Sequence, residues 1–182
     1  MADTYASDNW INVVEEHATH ALQADGDLGT SGALEIQTWD EELREDAAQY
    51  TDQQLPAIVV NCQSMVPDFD AEEEGVPDGI SITFPIQVWW IGTAADRQRR
   101  VLKAKESLAR IVRVLMQQHL TSKQLQLSTG EKLPASLEWG VGGSVTVRVT
   151  GADFDDGEVS SQFRAVGLVE ADITISFTIT GD

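Results

Sequence analysis

The chain has 182 residues, 42% of them apolar, with 30 acidic residues against 12 basic ones and a net charge of −18. Such a chain can bury one core without disulfides or metal, and it is too apolar to be disordered. The charge speaks against a general binder of nucleic acid or anionic membrane, and the single cysteine, Cys62, excludes an intrachain disulfide and suits a reducing compartment.

Helical spacing of Trp10, Val13, Val14, His17, Ala18, Ala21 and Leu22 predicts a first helix over about Tyr5 to Ala24, with Ser7 or Asp8 as cap and Gly26 as stop. "GDLGTSG" is then a turn, and "ALEIQTW" (33–39) alternates as a short strand. The polar run 40–54 reads equally as a solvated helix or a loop. "LPAIVVNCQSM" (55–65) is a β-branched run and predicts a buried strand. Residues 66–79, with two prolines, two glycines and six acids, are expected to be a loop.

"ISITFPIQVWWIG" (80–92) is the clearest strand. Ile80, Ile82, Phe84, Ile86, Val88 and Trp90 face one way, and Trp89 faces the other. Pro85 has no N–H to donate, so an edge or a bulge is expected beside it. A basic segment follows directly. Residues 97–119 hold seven of the twelve basic residues and one acid, Glu106. At 100° per residue from Arg97, Val101, Ala104, Leu108, Ile111, Val112 and Leu115 form an arc centred near 20°, widened on one side by Leu102, Ala109 and Met116. Arg99, Lys103, Arg110 and Arg113 fall between about 160° and 240° on that wheel, a cationic ladder opposite the buried arc.

Residues 121–160 read as a turn-rich insertion or extended hairpin region, with one strand at 144–150 and an acidic loop, "GADFDDGE", after it. Phe163 to Thr180 alternates as one very long strand, or as two strands joined by a bulge near Gly167. The whole predicts a single α+β domain over 1–182: a mostly antiparallel or mixed sheet with two main helices packed on one face.

No catalytic or cofactor signature emerges. His17 and His20 share a helix face but lack a third ligand, and a structural role is the commoner outcome. Asp68, Asp70 and Glu72, like Asp153, Asp155 and Gly157, fail the calcium-loop spacing. "GVGG" (140–143) precedes a strand, so it presents no helix N-terminus to phosphate. Cys62 lies in an apolar strand, where a thiol is inert. No metal, cofactor or catalytic residue is assigned, and the chain is not expected to be an enzyme. "MADTYASDNW" has neither the basic nor the apolar region of a signal peptide, and no apolar run approaches the roughly 20 residues that cross a bilayer.

The cationic helix face therefore has three readings: an outer face that is solvated or paired within the monomer to the acidic loops, a contact surface for the acidic remainder of another copy, or a DNA contact, which the acidity of the rest of the chain opposes. Trp89, pointing away from Trp90, is either covered by a second layer or at an interface. The run from "AIVVNCQS" through "ISITFPIQVWWIG" into "DRQRRVLKAKESLARIVRVLMQQ", closed by "FRAVGLVEADITISFTI", resembles the tail terminator and tail-completion proteins of tailed bacteriophages. That resemblance implies a hexameric ring in the virion neck. It caps the tail tube, joins tail to head by contacting the tube protein and the head–tail connector, and lets DNA pass its lumen without specific binding. Arg99, Lys103, Arg110, Arg113 and Trp89 then become the expected subunit or tube contacts. A head–tail connector ring is the alternative within phage structure, and an enzyme or ligand-binding domain with an unrecognised pocket is the alternative outside it.

Overall fold

A computed structural model describes residues 10–28, 35–38, 55–70, 79–93, 97–120, 144–159 and 162–178. Two helices, α1 (Trp10–Gln23) and α2 (Arg97–Leu120), accompany six strands: β1 (Glu35–Thr38), β2 (Ala57–Cys62), β3 (Val66–Asp70), β4 (Gly79–Gly92), β5 (Ser144–Val159) and β6 (Gln162–Thr178). The strands form one sheet in the order β1-β2-β4-β6-β5, with β3 also paired to β4. Among the described strands only β1 and β2 run parallel, and every other pair is antiparallel. The chain is α+β, as its periodicities predict.

Strand order explains where α2 must lie. β4 and β5 are both antiparallel to β6, which sits between them, so β4 and β5 are parallel to each other. Two parallel strands need a crossover, and α2 supplies it. It therefore passes over β6, and β6 is small where it passes: Ala165, Gly167 and Ala171 are all buried. A Cβ on Gly167 would stand 2.6 Å from Leu108 Cδ2 and 2.9 Å from its Cγ. Leu108 thus occupies the space that glycine vacates.

Both helices cover one face. Val14, Ala18 and Leu22 of α1 and Ala104, Leu108, Ile111, Val114 and Leu115 of α2 share a core with Ile58, Val60, Ile82, Phe84, Ile86, Val88, Trp90, Val169, Ile173 and Ile175. Each of the larger aliphatic and aromatic side chains among them contributes about 1.5–3 kcal/mol on burial. The opposite face carries a hydroxyl ladder across β4 and β6, with Ser81–Ser176 at 2.9 Å and Thr83–Thr174 at 3.0 Å. At the β2 end a second cluster forms from Leu55, Ala57, Val59 and Ile91.

Three local expectations are corrected. Residues 66–70 are a strand, because β4 runs seven residues past the end of its pairing with β2 and offers a second partner the same edge. The register steps from Cys62↔Ile86 to Val66↔Thr83, so one extra residue is accommodated beside Pro85, where an irregularity is expected. The Pro85 carbonyl still accepts the Gln63 N–H at 3.3 Å. The acidic run 151–158 is also strand, templated by β6; β6 itself is one long strand, the first of its two sequence alternatives, and the register shift lies on β5 between Val149 and Gly151. Arg164, between Phe163 and Ala165 of the alternating segment and so on the face of β6 opposite to theirs, is buried. Residues 40–54, 71–78 and 121–143 lie outside the described residues.

Candidate interaction face

The structure turns α2 relative to the sequence wheel. Arg100 and Val114 are buried, whereas Leu102, Ala109 and Met116, expected at the margin of the buried arc, are exposed. The buried arc therefore lies about 50° from its expected centre at 100° per residue. The cause is the crossover: the helix docks on β5 and β6, and Leu108 seats on Gly167.

This rotation divides the cationic ladder. Arg110 faces the segment after α1 and is held there. Its Nε donates to Asp25 Oδ1 at 3.0 Å and its Nη2 to Asp25 Oδ2 at 2.7 Å, and Nη2 also lies 2.8 Å from Asp27 Oδ2. Asp25 Oδ1 further accepts the backbone N–H groups of Asp27 and Leu28, both at 3.1 Å. Burial alone would raise the Asp25 pKa. The Arg110 hydrogen bond, the Leu28 N–H and the guanidinium charge outweigh it, and the carboxyl is held below its ordinary value. Arg110 is correspondingly raised, chiefly by its hydrogen bond to Asp25. Within one chain Arg110 ties α2 to the segment after α1.

Lys103, about two turns away, is exposed beside a cleft of about 390 Å³ lined by Asp27, Leu28, Pro56, Trp90, Lys103, Glu106, Ser107 and Arg110. Neither histidine nor cysteine lines it; its one hydroxyl is Ser107, and its carboxylates are Asp27 and Glu106. Arg99 and Arg113 are exposed on the outward side, next to Leu102, Ala109 and Met116. Lys105 stands 5.4 Å from the centroid of the Phe154 ring on β5, a cation–π contact that helps seat α2. Trp89 lies on the helix-free face, half-buried against Leu55, Ala57, Val59 and Ile91. Its indole N–H has no hydrogen-bond partner among the described residues.

The groups weighed for chemistry are occupied structurally. His17 is buried and donates Nδ1–H to the Val13 carbonyl at 2.7 Å. Glu15, also buried, accepts the Cys62 N–H at 2.8 Å. The Cys62 thiol is pushed up to about 12, first by burial and further by the Glu15 charge. It is protonated at neutral pH and no nucleophile. Asp153 and Asp155 sit exposed on β5, and Asp153 Oδ1 accepts the Phe154 N–H at 2.8 Å. Among the described residues no three His, Cys, Asp or Glu side chains gather as a metal site.

Pairing of the cationic face within the monomer is among the sequence readings, but Asp25 and Asp27 as the partners of Arg110 are not. The only local signal of this clasp is an acid pair flanking Gly26 directly after a helix, which also describes any solvated turn. Sequence reading missed the outward stripe Leu102–Ala109–Met116, although the i, i+7, i+14 spacing is visible in the sequence. No protein-family model matches the chain, and no curated protein matches it in sequence.

Proposed function

We propose that this chain is a ring-forming structural protein of a tailed-phage virion, seated at the head-proximal end of the tail, where it ends tube growth and joins tail to head. The observation that carries the reading is the outward face of α2. A chain of net charge −18 keeps arginines and lysine beside exposed Leu102, Ala109 and Met116 on the crossover of a β4-α2-β5-β6 unit. Apolar and cationic groups displayed together by an acidic protein fit contact with further copies of itself. Heterologous contacts between copies close into rings when the rotation allows. The prevailing acidity suits a lumen that DNA must pass without adhering.

Native mass measurement and negative-stain imaging of the purified protein test this. Rings of about six copies, and tail tubes of arrested length when the protein is added to polymerising tube subunits, are the expected results. Rings that leave tube growth unaltered but seat on the connector would place the protein on the head side of the joint. A monomer at every concentration and ionic strength would end the proposal.

A further inference from the structure

Four large apolar side chains among the described residues are exposed: Met65 at 43%, Val66 at 51%, Leu102 at 55% and Met116 at 48%. Isolated exposed apolar residues are ordinary. These four are not isolated, since they form two patches of opposite electrostatic setting. Leu102 and Met116, with exposed Ala109 between them, make a stripe about 21 Å long on α2 at 1.5 Å per residue. Arg113 stands within it, and Arg99 and Lys105 flank it, against the one acid Glu106. Met65 and Val66 lie where β2 passes into β3. Exposed Asp68 follows on the same strand, and the sequence goes on to Asp70, Glu72, Glu73 and Glu74.

The patches sit on different flanks of the molecule. α2 packs over β5, β6 and β4, whereas β3 lies along the other edge of β4, where β6 does not reach. One copy thus cannot bring its own two patches together. Two-fold pairing of like patches would set cations on cations, or acids on acids. Pairing of unlike patches places apolar on apolar and positive on negative. β3 is also unsuited to strand addition: Pro67 offers no N–H, and Asp68 is charged. Its contact with a partner is made by side chains.

We infer that the α2 stripe, Leu102–Ala109–Met116 with Arg113, docks on the Met65–Val66–Asp68 patch of a second copy, a head-to-tail contact that repeats from subunit to subunit. This inference rests on the proposed ring and names the two surfaces that build it.

Two variants of the full chain test it: Leu102→Ser/Met116→Ser, which alters only the stripe, and Met65→Ser/Val66→Ser, which alters only the β3 patch. All four positions are exposed, so both should keep the parent's urea midpoint. Each variant alone should self-associate about tenfold or more weakly than the parent in sedimentation velocity. Mixed, they should form 1:1 dimers, because each retains the surface the other lacks, and added salt should weaken those dimers. The contact is overturned if either variant alone still forms the parent's oligomers, or if the mixture stays monomeric while the parent forms rings. In both cases the ring survives and only its surfaces have been misassigned. A parent that never associates removes the ring and the contact together. If either double variant shifts the urea midpoint, Leu102→Ser and Val66→Ser alone carry the same comparison.

Discussion

Gly167→Ala sets two effects of opposite sign against each other. Gly167 is buried within β6. Alanine in place of glycine in an extended strand ordinarily stabilises by about 0.4–1 kcal/mol, since the unfolded chain loses freedom. Here the added methyl would stand 2.6 Å from Leu108 Cδ2, 2.9 Å from Cγ and 3.1 Å from Cδ1. Leu108 is itself buried and cannot swing into solvent. Overpacking of that kind costs about 1–3 kcal/mol. The net expectation is a loss of about 1.3 kcal/mol, the difference of the two midpoints, within a span of about 0–2.6 kcal/mol. With a urea m-value of about 2 kcal/mol per M, the unfolding midpoint falls by roughly 0.6 M. Leu108→Ala alone leaves a cavity and costs about 2–5 kcal/mol. In the double variant the alanine methyl moves into the vacated space, so its cost should fall short of the sum by about 1 kcal/mol or more. Urea unfolding of the four proteins, monitored by tryptophan fluorescence at low concentration, closes the cycle. A midpoint that rises in Gly167→Ala, or single costs that simply add, would refute the docking of α2 on β6 at this point.

The Asp25–Arg110 clasp predicts a pH dependence. The Asp25 carboxyl is lowered from 3.8 in the folded state, so its stabilising contribution is complete above that value and is lost as pH falls through the lowered one. Asp25→Asn should therefore be less stable than the parent at neutral pH, with the gap closing in acid; a gap that stays constant with pH would contradict the pairing. Cys62 should resist thiol reagents at pH 8 in the folded protein and react once urea unfolds it. Glu15→Leu should cost about 1–3 kcal/mol by leaving the Cys62 N–H without its acceptor, while Glu15→Gln, which keeps an acceptor oxygen, should cost less. Equal costs for the two would show that the hydrogen bond is immaterial.

Much of the architecture is legible as periodicity. Val14, Ala18, Ala21 and Leu22 mark α1; alternation over Ile82–Trp90 and Ala165–Ile175 marks the two central strands; and the basic run reads as the helix that follows β4. Even Pro85 announces the irregularity beside it, since a missing N–H is a property of the residue itself. Composition fails where a partner supplies what a segment lacks. Residues 66–70 and 151–158 read as acidic loops, yet β4 and β6 offer open ladders, and pairing to an existing strand overrides weak local propensity.

The face of α2 was decided by tertiary structure alone. A helical wheel ranks residues by their own hydrophobicity and has no knowledge of the surface beneath. The groove over Gly167 turns the helix so that Val114 and Arg100 go inward and Leu102, Ala109 and Met116 come out. Arg110 looks like its neighbours in the basic run until Asp25, 85 residues earlier, is brought beside it. Periodicity is local because backbone geometry is local. Which of two plausible faces is buried, and which charge is neutralised, depends on burial and Coulomb interaction between residues far apart in the chain, and those exist only once the sheet has formed.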